Sequence, residues 1–168
     1  MIGVLGAGGH GQVVASALDL LGLEYVYYDD NGKYLVISAC NHDFIVAVGD
    51  NEDRARIYDS MPGKPVKVIH PQSIVAQSAL IGLGSFVNAG AIVNPRSVIL
   101  ENVIINTGAV VDHHCTVKAH AHIAPNATIC GNAMIGNGAL VGTGAVVLPG
   151  AVVPDGKVVY AGSVWKWR

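Results

Sequence analysis

The sequence predicts a parallel β-helix built from hexapeptides, preceded by a small α/β unit. From Val75 to Val159 an aliphatic residue recurs at every sixth position, fifteen times without a miss, by way of Val87, Ile99, Val111, Ile123 and Val147. Four positions after each stands a small residue in thirteen of the fifteen hexads, Ala79, Ser85, Ala91 and Cys115 among them; Val103 and Lys157 are the exceptions. A period of six matches neither the helical repeat of about 3.6 residues nor the longer, less regular repeats of a hairpin sheet. Each hexad supplies one short strand and one turn, with the branched side chain pointing into the prism and the small residue letting the chain pass the corner. Residues 1–67 lack this period and alternate strands with helices, the mark of a parallel sheet.

In order, Ile2–Gly6 is a short apolar strand, then a glycine-rich turn, then a helical pattern through Val13, Val14, Ala17, Leu18 and Leu21 that ends near Gly22. Tyr25–Tyr28 is a second strand, closed by the turn signal Asp29-Asp30-Asn31-Gly32. Phe44–Val48 is a third strand and runs into Gly49-Asp50-Asn51. A short helix with Arg54, Arg56 and Ile57 follows, then Pro62-Gly63 and a last strand at Val66–Ile69. This places a βαβ domain, half the size of a complete dinucleotide-binding fold, at 1–67 and the solenoid at 68–168, with His70-Pro71 at the hand-over. Five coils of 18 residues form a prism on the order of 24 Å long. Gly162–Arg168 reads as a short tail whose Trp165 and Trp167 dock onto another part of an assembly.

Composition excludes several classes of function. Hydrophobic residues make up 51% of the 168 and charged ones only 13%, yet no run of about 18 uninterrupted apolar residues exists to span a membrane. The excess is spread through the hexads as a continuous solenoid core requires, and so much apolar outer wall points to burial against further copies of the chain. Net charge is −2 with no basic stripe, which argues against nucleic acid. Three cysteines without metal-type spacing read as reduced thiols in a cytoplasmic protein, and no signal peptide precedes the first strand.

Two motifs carry chemistry. Gly6-Ala7-Gly8-Gly9-His10-Gly11 matches G-x-G-x-x-G between a strand and a helix, where glycines permit close backbone approach and the helix N-terminus offers N–H donors to phosphate. Asp29 or Asp30, at the end of the second strand, is placed for a ribose hydroxyl. With half a dinucleotide fold missing, a nucleoside diphosphate suits the size better than NAD. The second motif is mid-solenoid, where His113, His114, His120 and His122 fall within ten residues. Imidazole is the commonest general base near neutral pH. The hexad register puts His113 and His114 at an exterior turn, and His122 half a coil away. Either one of the two sites is idle or they meet across a subunit boundary. Solvated turn histidines are the bland alternative, and their spacing does not converge as a zinc site would.

The order GxGGHG, Asp29-Asp30, Gly49-Asp50-Asn51, Ile69-His70-Pro71, hexads with Val111-Asp112-His113, and a terminal Ala161-Gly162 resembles the bacterial sugar O/N-acyltransferases. Sialic-acid O-acetyltransferase-like proteins and the nucleotide-amino-sugar N-acetyltransferases of the bacillosamine pathway are similar in this respect. The resemblance implies a left-handed β-helix, a homotrimer, and acetyl-CoA as donor without a metal. It makes His113 the base. The next position, acidic in the family, is His114, which leaves Asp112 to orient the imidazole or leaves a less basic one. The same resemblance puts His122 and the Gly131 N–H near the thioester, and Thr143, Gly144 and Ala161 along the pantetheine arm. Gly8, Gly9, Asp29, Asp30, Gly49, Asp50 and Asn51 fall on the nucleotide side, with His10 facing the sugar. It implies direct N-acetylation of a nucleotide-linked amino sugar (UDP-4-amino-4,6-dideoxy type), with sialic-acid O-acetylation or a non-catalytic nucleotide-sugar-binding trimer as alternatives.

Overall fold

The computed structural model describes residues 1–30 and 36–167. Asn31-Gly32, the second half of the expected turn, lies outside the described residues, as does Arg168. The first unit is a three-stranded parallel sheet in the order β2-β1-β3, from β1 (Ile2–Leu5), β2 (Tyr25–Tyr28) and β3 (Asp43–Val46). Helix α1 (Gly9–Leu20) covers one side of it and α2 (Asn51–Ser60) the other. The sheet's two sides explain its unbroken apolar strands: Val4 and Ile45 pack with Val14, Ala17 and Leu18, while Leu5, Phe44 and Val46 pack with Ile57. Strand β3 is shorter than Phe44–Val48 because the Val48 carbonyl turns away to accept from Arg54.

The solenoid is a parallel prism of left-handed β-helix type, about five turns high. Its three faces hold six, six and five two-residue strands. The first face runs from β4 (Val68–Ile69) to Val158–Val159, the second from Ile74–Val75 to Val164–Trp165, and the third from Leu80–Ile81 to Val152–Val153. The sixth-position residues point inward, and Val87 through Val153 form one continuous buried column with the small residues Ala91, Cys115 and Ala139 beside them. From Ile81 onward, the backbone turns left-handed at the third residue after each inward one. Glycine fills many of these positions, but His114 (φ 58°) and His120 (φ 60°) also adopt it.

Two expectations change. The strand expected over Val66–Ile69 splits: Val66 donates to the Phe44 carbonyl in the first unit, whereas β4 pairs with Phe86–Val87 as the opening strand of the prism. The carboxy-terminal segment is no separate tail. Val164–Trp165 pairs with Val146–Val147, so Trp165 takes the next inward position and its indole closes the end of the core, donating to the Val152 carbonyl at 2.9 Å. No helix among the described residues is long and apolar enough to cross a membrane.

Candidate active site

The glycine motif divides by role. Gly6 bends the chain at φ 109°, and a Cβ on Gly11 would lie 2.1 Å from the Gly6 carbonyl oxygen, so these two let α1 start hard against β1. Gly8 and Gly9 border open space at the start of α1, where phosphate oxygens can approach. Asp29 bonds back to this loop, its Oδ2 accepting from the Ala7 N–H at 2.7 Å, while Asp30 Oδ1 accepts from the Ile37 N–H at 2.9 Å. The Gly49-Asp50-Asn51 segment is tied up structurally. Asp50 caps α2 by accepting from the Glu52 and Asp53 N–H groups, and Asn51 donates to the Gly138 carbonyl of the solenoid at 2.9 Å.

Between the two units lies a junction that sequence reading missed. Phe86 on the first face packs edge-on against the His10 ring at 5.7 Å, which brings the loop histidine onto the prism. His122, on the same face, accepts from Asn106 Nδ2 at 3.0 Å. The Asn106 amide orientation is set by its Oδ1, which accepts from the Thr107 N–H and from Asn88, so His122 Nε2 must be the unprotonated nitrogen. Burial, reinforced by the nearby Arg54 guanidinium, pushes both His10 and His122 down to about 4, so each is neutral at pH 7. His10 Nε2 is buried without a hydrogen-bond partner. Arg54 itself is 1% exposed and donates to the carbonyls of Asn102, Val48, Gly49, Asp50 and His120, and to Asn51 Oδ1. A cavity of about 440 Å³ lies between the start of α2 and the solenoid, walled by Asn51, Ala55, His120, Leu140 and Val158.

His113 stands elsewhere, on the edge joining the second and third faces. Its imidazole lies flat over Gly131, one coil further on: a Cβ there would sit 2.6 Å from His113 Cε1. Gly131 is therefore the seat of the ring. Asp112 Oδ1 accepts from the His113 N–H at 2.8 Å and from Asn94 Nδ2 at 3.0 Å. Those bonds, led by the His113 N–H, hold the Asp112 carboxyl below the usual carboxylate range, and the Gly131 N–H contributes to the same effect. The family resemblance expects that N–H on the thioester. Asp112 Oδ2 is 3.8 Å from His113 Nε2, while His114 Nδ1 is 3.0 Å from His113 Nδ1.

The four clustered histidines accordingly divide. His113 and His114 share one edge, His120 bonds Asn102 at 2.8 Å on the edge between the third and first faces, and His122 lies on the first face. Thr143 and Ala161 line the edge joining the first and second faces, stacked so that the Gly162 N–H donates to the Thr143 carbonyl, with Gly144 beside them. Arg54, Asn106 and Phe86 are the functional neighbours the sequence reading omitted. Asn88 and Asn106, spaced by 18 residues, were the readable signal for a ladder on one edge.

Residues 1–61 match the model of the PglD N-terminal domain family. No curated protein sequence matches. Among solved structures, the acetyltransferase domain of PglB from Neisseria gonorrhoeae FA1090 is 38% identical with a TM-score of 0.92, covering 99% of this chain and 91% of that one. The same domain in complex with acetyl coenzyme A gives 38% identity and a TM-score of 0.89 over 96% and 88% of the two chains. PerB from Caulobacter crescentus, in complex with CoA and GDP-perosamine, is 31% identical with a TM-score of 0.90 over 99% and 88%. With such identity over nearly its whole length, this chain belongs to the sugar N-acyltransferase family that these proteins represent.

Proposed function

We propose that the protein transfers the acetyl group of acetyl-CoA to the amine of a nucleotide-linked amino sugar, with His113 as general base. The observation that carries this reading is the end-to-end likeness to proteins crystallised with acetyl coenzyme A, and with CoA and GDP-perosamine. The geometry is compatible. Gly8 and Gly9 offer open backbone to a diphosphate, Asp29 and Asp30 stand at the ribose end of the sheet, and neutral His10 faces the junction. Gly49 adds backbone there, while Asp50 and Asn51 hold α2 in place. The cavity between α2 and the solenoid offers a pantetheine arm the walls of Gly138, Leu140, Gly156 and Val158, with polar Asp50, Asn51 and His120 beside them, and Thr143, Gly144 and Ala161 lie across the first face.

The neutral amine attacks the thioester carbon, a C–N bond forms and the C–S bond breaks. His113 takes the amine proton and returns it to the leaving sulfur, help worth about 10²–10⁴ in rate. Direct transfer fits the thiols. Burial pushes Cys115 up to about 11 and raises Cys130 as well, so neither is a ready thiolate.

The site needs more than one copy of the chain. His113 occupies one edge of the prism and His10 with His122 a face, so a shared cleft arises when the edge of one subunit meets the face of the next. Exposed Ile74, Leu80, Met134, Val152 and Val164 on the second and third faces supply apolar area for a homotrimer. The free cysteines fit a reducing, cytoplasmic setting. The test is CoA release, followed with a thiol reagent, over a panel of UDP-, GDP- and dTDP-linked amino sugars. One of them turns over, and His113→Ala lowers turnover at least about a hundredfold with sugar-nucleotide affinity little changed. Equal rates in the variant and its parent would remove His113 from the reaction.

A further inference from the structure

We propose that His114 is a positioning residue that holds the proton of neutral His113 on Nδ1, leaving Nε2 as the base; this rests on His113 being that base. The two rings meet edge to face, with centroids 5.2 Å apart at 84° and the two Nδ1 atoms 3.0 Å apart. A separation of that size holds one proton between two nitrogens, one donating and one accepting. A neutral histidine in water carries its proton mainly on Nε2, the nitrogen that must be bare to accept a proton from substrate. An acceptor at Nδ1 reverses that preference.

Asp112 does not fill the role. It approaches the opposite end of the ring, its Oδ2 lies 3.8 Å from Nε2, beyond hydrogen-bond length, and its Oδ1 is engaged by the His113 N–H and by Asn94. The other charged or titratable groups on this edge are the Cys115 and Cys130 thiols, Lys166 three coils above, and Arg96, which holds the equivalent turn position one coil below. Among these groups His114 alone bonds a ring nitrogen of His113. It reaches that nitrogen from a left-handed backbone, φ 58°, which costs a residue with a Cβ roughly 1 kcal/mol.

The proton balance follows. As the C–N bond forms and the C–S bond breaks, the amine proton moves to His113 Nε2 and then to the thiolate sulfur. In between, the imidazolium keeps its Nδ1–H bonded to His114 Nδ1, a neutral acceptor that adds no charge. A carboxylate in that place would favour the charged ring, so the base would be blocked by protonation at a higher pH.

The primary test is the ¹⁵N spectrum of the histidine rings in the intact protein, with His113→Ala assigning the resonance. At pH 8 the parent carries the His113 proton on Nδ1, and His114→Gly moves it to Nε2. Glycine suits the left-handed turn, so this variant melts no lower than the parent while kcat falls at least about tenfold and KM for acetyl-CoA stays within about twofold. His114→Glu restores kcat and shifts the acid limb of kcat/KM upward by about one pH unit. A parental tautomer or parental kcat in His114→Gly, or an unmoved acid limb in His114→Glu, overturns the proposal. Full activity in His113→Ala strikes instead at the base assignment, and the ring spectrum separates that failure from this one.

Discussion

Gly131 illustrates how much a single absent methyl group decides. Its φ is not left-handed, so glycine is not required there by the backbone. The demand comes from His113, whose ring would lie 2.6 Å (Cε1) and 2.8 Å (Nε2) from an added Cβ. The His113 side chain is 50% exposed and free to swing outward, so Gly131→Ala costs little stability, below about 1 kcal/mol. The displaced imidazole, however, loses both its seat and its 3.0 Å contact with His114. Turnover in Gly131→Ala drops at least about tenfold with the melting temperature nearly unchanged, because misplacing a catalytic group by about 1 Å is costly. Steady-state kinetics paired with thermal unfolding checks this, and a fully active variant would show that the ring needs no such support.

At the level of elements, α2 is the bolt between the two units, and Arg54 is its shank. The guanidinium satisfies carbonyls from both units, Val48 and Gly49 on one side and Asn102 and His120 on the other, and the nearby Asp50 carboxylate favours its charge without an ion-pair contact among the described residues. Burial pulls it down to about 10, so it remains charged at neutral pH. Arg54→Met keeps the aliphatic volume but strands those carbonyls, at a cost of about 3 kcal/mol or more. Urea unfolding of this variant shows an early transition of the α/β unit ahead of the solenoid, and a single parental transition would refute the bolt. None of this was legible beforehand, since one arginine on a charged helix reads as solvated. The solenoid, by contrast, was legible from Val75 onward because every inward residue obeys one period. Its hand was not, for a period of six is the same in both mirror images. Trp165 escaped for the opposite reason: it keeps the period exposed by Val153 and Val159, but an indole does not look like a core valine. The separation of His113 from His122 was legible from that same period, since nine residues are half of an 18-residue coil.

The whole molecule carries a pH dependence set at its internal junction. His10 and His122 are each neutral when folded, pushed down to about 4 by burial and by Arg54. In the unfolded chain both titrate near about 6.5. Above that value neither state binds the extra protons, and the stabilisation from burying the neutral rings is complete. As pH falls from 6.5 toward 4 the unfolded chain takes up protons that the folded one refuses, so stability declines by roughly 1.4 kcal/mol per pH unit for each histidine. Carboxylates such as Asp112, held below their usual range, add their own loss at still lower pH. Denaturant midpoints measured between pH 8 and 4 therefore stay level down to about 6.5 and then fall with a slope of about two protons or more, since burial also holds His120 below its ordinary value. In His122→Asn the slope falls by about one proton, since asparagine offers a neutral amide at the same junction. A midpoint that is flat through this window would mean the two rings take up protons when folded, and the junction would then be wetter and looser than Phe86, Asn106 and Arg54 make it.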